Sequence, residues 1–195
     1  VESTQSNSNT SSGSGSATAA SYSDVLKILS QYDSDHQHAT LLRNLVSQVD
    51  ALIQSRAADH FVAYLNESID LLLCLELTLC DGIKLSNEDI RTDPAAGLWP
   101  WFARLNDVLP TQSGESIVDL VRRTQMSTSQ GLARAFIHAA LSRKDLSINL
   151  QALAWLPSIS DIFEPTALVR NESLMALLVL IVKEMQRVEF RLPLS

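Results

Sequence analysis

Apolar residues recur at helical spacing along most of this chain, and that repeat limits its possible folds more than any other feature. Positions three and four apart lie on one face of an α-helix, as in the stripe Leu41, Leu42, Leu45, Val46, Val49, Leu52 and Ile53. No segment alternates convincingly over the length of a strand, and we interpret residues 188–192, a strand-like patch, as a helix end or tail. The pattern predicts an all-α fold, a single compact bundle of about seven to nine helices.

The segment 61–79 is apolar enough to predict a central helix that is buried on more than one side. Gly82 is expected to end this helix, because glycine readily adopts the left-handed conformation that follows many helices. Further along the chain, N-cap residues are expected within 127–130, at Asp145 and at Asn171. Their side-chain oxygens can accept hydrogen bonds from the first N–H groups of a helix.

The chain divides into a polar beginning and a longer apolar-rich part. Residues 1–21 are mainly Ser, Thr, Asn, Gly and Ala, which bury too little apolar surface to offset the entropy lost on ordering. We predict that they form a disordered lead-in or are a remnant of cloning. Residues 22–195 can bury one sizeable core and are predicted to form a single helical domain.

The net charge of −7, from 22 acidic and 15 basic residues, argues against broad nucleic-acid binding, because phosphates would be repelled. The apolar run 174–182 is shorter than the roughly 20 residues of a membrane span, so no transmembrane segment is predicted. Cys74 and Cys80 point to different sides of a predicted helix and cannot easily bridge each other. We interpret them as reduced, buried thiols of a cytoplasmic protein.

The histidines are the first candidates for catalysis or metal binding. Asp35, His36 and His38 are close in sequence, but neither a cysteine nor a Glu-x-x-His pattern accompanies them. His138 lies in an apolar helical segment, where a partly buried, hydrogen-bonded histidine is commoner than a ligand or a base. The sequence contains neither a glycine-rich phosphate loop nor a Gly-x-Ser-x-Gly motif. We therefore predict no enzymatic activity, no cofactor and no metal site.

Charge is distributed unevenly along the chain. Residues 1–110 hold 14 acidic and 6 basic side chains, whereas residues 111–195 hold 8 acidic and 9 basic ones. Arg122, Arg123 and Arg134 belong to the more basic part. If they gather on one face, their planar guanidinium groups suit an acidic partner surface; the alternative is that they are solvated on separate helix faces.

Several motifs occur in a recognisable order. They are Leu75-Glu-Leu-Thr-Leu-Cys-Asp-Gly-Ile-Lys84, Leu98-Trp-Pro-Trp-Phe102, Gln130-Gly-Leu-Ala-Arg134-Ala-Phe-Ile-His-Ala-Ala-Leu141, Phe163-Glu-Pro-Thr-Ala-Leu-Val-Arg170 and a leucine-rich last helix with Phe190 at its end. In this order they resemble the RUN domain, and the resemblance covers roughly residues 41–194.

The resemblance implies a helical bundle that performs no chemistry and acts as an effector or adaptor for small GTPases of the Rab, Rap and Arf-like classes. It also implies a role in endosomal, lysosomal and autophagic traffic, with the protein recruited to those membranes through its partners. Lys84 and Arg134 match basic positions implicated in binding in some members. Together with Arg122 and Arg123, they are predicted to border a face that docks the switch surface of a GTP-loaded GTPase.

Two other functions remain open at this point. One is a scaffold that binds a helix of a motor, coat or cytoskeletal protein in an apolar groove, independently of any GTPase. The other is an enzyme whose functional residues converge only in three dimensions, which a pocket with clustered titratable groups would reveal.

Overall fold

The computed structural model describes residues 22–33, 36–54, 62–84, 91–109 and 115–194. Most of these residues are helical, so the predicted all-α fold is confirmed. The predicted disorder of residues 1–21 falls outside the described residues. In chain order the α-helices are α1 (Tyr22–Leu29), α2 (Gln37–Gln54), α3 (Leu65–Leu79), α4 (Leu98–Phe102), α5 (Leu105–Val108), α6 (Ile117–Arg122), α7 (Ser129–Arg143), α8 (Leu146–Ala154), α9 (Ile159–Ile162) and α10 (Glu172–Met185).

Two short strands, β1 (Val62–Tyr64) and β2 (Glu189–Arg191), form a parallel pair in which Ala63 lies opposite Phe190. The interpretation of residues 188–192 as a helix end or tail was therefore wrong. Three residues are too few to show a convincing alternation, and the central residue of each strand is buried while its neighbours are more exposed. The pairing ties the start of α3 to the end of the domain.

The helices enclose one apolar core centred on four fully buried aromatic side chains. Phe102 stacks on Phe136 with ring centroids 4.3 Å apart, and Trp101 meets Phe163 edge to face at 5.1 Å. The indole N–H of Trp101 donates a hydrogen bond to the Leu153 carbonyl at 3.3 Å, which satisfies the polar atom that its burial removes from water. These contacts join α4, α7, α8 and the segment after α9.

Predicted helix caps form at two of the three places. The side chain of Thr128 accepts a hydrogen bond from the N–H of Gly131 at the start of α7, and Asn171 accepts one from Leu174 at the start of α10. At α8 the side chain of Asp145 makes no cap hydrogen bond, so that prediction was wrong. Its carboxylate instead accepts a hydrogen bond from the side-chain amide of Asn149 at 3.1 Å.

The turn after α3 is held by a buried carboxylate. Asp81 accepts hydrogen bonds from the backbone N–H of Leu168 at 2.8 Å and from the side-chain amide of Gln37 at 3.1 Å. Its other close neighbour is His38, whose Nε2 atom lies 3.1 Å from the carboxylate. This one side chain therefore connects the end of α3 to the start of α2 and to the segment before α10.

Gly82 occupies the left-handed region with φ of +68°. It follows the C-cap residue Cys80 by two positions, in agreement with its predicted role at the end of α3. A Cβ atom at Gly82 would lie 2.5 Å from the Cβ of Ala167, inside any normal contact distance. The position requires glycine for both backbone conformation and space.

The substitution Gly82→Ala should lower the free energy of unfolding by about 2 to 5 kcal/mol, because it adds left-handed strain and an overpacked contact with Ala167. Urea unfolding followed by circular dichroism measures this change. Gly131→Ala is the matched control: its Cβ would meet the flexible Met126 side chain and the Thr128 hydroxyl at 3.1 and 3.0 Å, with no positive φ to accommodate. An equal loss in both variants would contradict the assignment.

Candidate functional site

One face of α3 carries a row of large apolar side chains exposed to solvent. Leu65, Ile69, Leu73 and Leu77 recur every four residues and are 37, 52, 50 and 62% exposed. Residues at this spacing lie above one another on a helix, so the row is about 18 Å long. We call these four residues the apolar ridge.

The apolar ridge overturns the prediction that this segment is buried on more than one side. The opposite face of α3, with Leu71, Leu72, Leu75 and Leu79, is the buried one. Contiguous exposed apolar side chains of this size are uncommon on a monomeric protein and mark interaction surfaces. The ridge is therefore the strongest candidate for a functional surface on α3.

The charges of α3 are all acidic. Glu67 and Asp70 are exposed beside the ridge, Glu76 is partly buried, and the helix contains neither lysine nor arginine. A partner that covers the ridge would therefore bring apolar groups to its centre and basic groups to this flank.

Arg134 projects from α7 to the end of the ridge. Its guanidinium group makes two hydrogen bonds of 2.8 Å to the carboxylate of Glu76, and a third of 3.0 Å to Asp93. The hydrogen bond to Glu76 raises the pKa of Arg134 above its usual value, so the side chain stays charged. Glu76 follows Leu73 by three residues, a spacing that makes them neighbours on the helix surface, so this ion-pair network borders the ridge. It also joins α7, α3 and the residue before Pro94.

The other predicted site residues lie elsewhere. The Lys84 ammonium group donates a hydrogen bond to the Ser160 carbonyl within α9 at 2.7 Å. At the end of α6, Arg122 and Arg123 face Asp119 and Glu115 at 3.7 and 2.6 Å. Within the described residues, we find no hydrogen bond or ion pair that joins any two of these four cations to one partner. Arg134 is the one that adjoins the ridge.

A second apolar surface lies between α8 and α10. It is a groove of about 600 Å³ lined mainly by Ala154, Trp155, Ile159, Met175, Ala176 and Val179. Trp155 stands at its edge with 73% of its surface exposed. We call this surface the α8–α10 groove. The groove could not be predicted from the sequence, because its walls come from two helices whose relative placement the residue pattern does not specify.

The potential metal ligands and His138 are the remaining candidates from the sequence. Their His, Cys, Asp and Glu side chains form no group of three suited to a metal ion. The imidazole of His138 is half-buried and bonds through Nδ1 to the Pro193 carbonyl at 2.8 Å, which confirms the prediction of a partly buried, hydrogen-bonded histidine. None of the helices described is both long and apolar enough to cross a membrane.

The fold is an all-α bundle that carries two exposed apolar surfaces. Comparison with known families identifies the kind of module: the family model of the RUN domain matches residues 70–195, more than half of the chain. The chain therefore belongs to the RUN domain family. RUN domains are non-enzymatic interaction modules that bind small GTPases. A search of curated proteins found no matching sequence.

Arg134→Gln should lower the free energy of unfolding by about 1 to 2 kcal/mol, because it removes a bidentate pair and leaves Glu76 and Asp93 without their cation. The loss is moderate since water reaches the side chain, which is 41% exposed. Urea unfolding gives the value. Arg123→Gln removes a more exposed pair, and its free energy of unfolding should stay close to that of the wild type. A stability loss equal to that of Arg134→Gln would contradict the structural role assigned to Arg134.

The thiol of Cys80, one turn after Glu76, predicts how the free energy of unfolding depends on pH. Burial, and then the negative charges of Glu76 and Asp93, raise its pKa to about 12 from an ordinary value of 9.0. The folded state therefore favours the protonated thiol, and this contribution to stability is lost as the pH rises from 9 toward 12. The free energy of unfolding should fall less steeply over that interval in Cys80→Ser than in the wild type. Identical slopes would show that Cys80 does not contribute.

Proposed function

We propose that this RUN domain binds the switch surface of a GTP-loaded small GTPase of the Rab, Rap or Arf-like classes through the apolar ridge. In this role it acts as an effector or adaptor in endosomal, lysosomal or autophagic membrane traffic, recruited to the membrane by its partner. The observation that carries the proposal is the exposed row Leu65, Ile69, Leu73 and Leu77 in a family whose members bind GTPases.

The ridge would form the centre of a larger interface, because burying its four side chains alone supplies too little free energy for micromolar binding. Burying the exposed half of a leucine or isoleucine contributes about 1 kcal/mol, so the four side chains supply about 4 kcal/mol. Micromolar affinity requires about 8 kcal/mol net, after the costs of association. Contacts around the ridge must supply the rest, and Tyr64 and Arg134 are the large exposed or half-exposed side chains at its two ends.

Charge would orient the partner. Glu76 and Asp93 together outweigh Arg134, and Glu67 and Asp70 add to the negative potential near the ridge. A GTPase with basic residues beside its apolar switch surface, and acidic residues farther out, would match this pattern. Lys84, Arg122 and Arg123 remain proposed as an outer rim, where charges affect the association rate more than the dissociation rate.

Pull-down with a panel of small GTPases, each loaded with GDP or a non-hydrolysable GTP analogue, tests the proposal. We expect at least one member to be recovered in its GTP state. Leu73→Lys should reduce that recovery by about 30-fold or more, because it removes about 1 kcal/mol of apolar burial and adds a comparable cost of desolvating the ammonium group. Leu26→Lys, at a leucine of α1 with 51% exposure, is the control that should bind normally.

Charge reversal of Arg122 and Arg123 tests the outer rim separately from the apolar ridge. It should slow association with the GTPase and leave the ridge intact. Recovery of every bound GTPase to the same extent in both nucleotide states would contradict an effector role and favour the nucleotide-independent scaffold. Failure to recover any member of the panel would also overturn the proposal.

A further inference from the structure

Two large apolar side chains project to solvent from the outer side of α8. Ile148 and Trp155 are 58 and 73% exposed. They are seven residues apart, a spacing that places both on one side of the helix, about 10 Å from each other. Trp155 also stands at the edge of the α8–α10 groove, whose lining continues through Ala176 and Val179 of α10. The two helices therefore share one exposed apolar area, and it contains no residue of the apolar ridge.

Two exposed lysines lie at the opposite end of this area from Trp155. The side-chain amide of Gln186 donates a hydrogen bond of 2.7 Å to the Lys144 carbonyl, so the start of α8 meets the end of α10. Lys183 follows Val179 by four residues and precedes Gln186 by three, so it extends the exposed side of α10 toward Lys144. We call the whole surface the α8–α10 face; it consists of Lys144, Ile148, Trp155, Ala176, Val179 and Lys183.

This side of the molecule differs in charge from the rest of the chain. The segments 143–162 and 170–187, which contain the face, hold five basic and four acidic residues, a net charge of +1. All other residues of the chain together carry a net charge of −8. An anionic partner is therefore repelled least on this side.

The two lysines of the face are the charges that a partner can use. Most of the other charges in the two segments occur as neighbouring opposite pairs: Glu184 with Arg187, Glu172 with Arg170, and Asp145 with Arg143. The exception is Asp161 of α9. Neither lysine of the face forms an ion pair with any residue that the structure describes. Their ammonium groups are therefore open to an anionic partner.

We propose that the α8–α10 face binds the surface of a lipid bilayer that contains anionic phospholipids. Tryptophan favours the boundary between headgroups and acyl chains, because its ring is apolar and its N–H group can still donate a hydrogen bond. Trp155 and Ile148 enter that boundary, and the ammonium groups of Lys144 and Lys183 contact the lipid phosphates. The charges that line the groove itself cancel, so they select neither an acidic nor a basic peptide.

The inference does not rest on the proposed GTPase function, because the α8–α10 face and the apolar ridge share no residue. If both hold, the bilayer and a membrane-bound partner provide two attachments, which together bind more tightly than either alone.

Flotation of the full chain with lipid vesicles tests the inference. We expect binding to vesicles of phosphatidylcholine with about 30% phosphatidylserine, and about ten-fold weaker binding to phosphatidylcholine alone. Trp155→Ala should weaken binding about ten-fold, because it removes the largest apolar contact. Lys144→Gln and Lys183→Gln should each weaken it about five-fold, the effect of losing one cation at an anionic surface. Added salt should weaken binding of the wild type by screening the same charges.

Leu26→Ala and Lys27→Gln are the matched controls, because they remove an exposed leucine and an exposed lysine of α1. Both should bind vesicles like the wild type, and circular dichroism establishes that each variant is folded. No binding by the wild type, equal binding to both kinds of vesicle, or unchanged binding of Trp155→Ala would overturn the inference. Leu73→Lys should lose the GTPase and keep vesicle binding, so the two proposals fail separately.

Discussion

The carboxylate of Asp81 anchors the end of α3, the helix on which the proposed GTPase site depends. It is buried and binds the backbone of Leu168, the side-chain amide of Gln37 and the imidazole of His38. A buried carboxylate without such partners would be very costly, so the three segments must assemble together around it. The packing of Leu71, Leu75 and Leu79 against the core sets the rotation of α3 about its own axis, so that Leu73 faces solvent.

That rotation explains why the sequence predicted the helix correctly and its exposure incorrectly. α3 has leucines on both faces, and residue type alone does not say which face the rest of the chain covers. The caps at Thr128 and Asn171 were predictable because a cap depends on residues within a few positions of each other. The strand pair was missed because each strand is three residues long and its partner lies far away in the sequence.

The candidate site, too, could be predicted only in part, because it depends on residues that are far apart in the sequence. Arg134 could be singled out from its motif, but its partners Glu76 and Asp93 lie 58 and 41 positions earlier, so its structural role appears only in three dimensions. Charged motifs are visible in a sequence, so the sequence alone points to the cations. The structure instead points to leucines and isoleucine whose exposure distinguishes them from identical residues in the core.

The parallel pairing of β1 and β2 has a consequence for how the domain is made. Val62 and Glu189 are 127 positions apart, so the strand that secures the start of α3 is among the last described parts of the domain to leave the ribosome. Until then the leucine-rich helix lacks part of its anchorage, and its apolar surface is open to non-native contacts. In the interval between synthesis of α3 and synthesis of β2, the nascent domain is therefore exposed to aggregation.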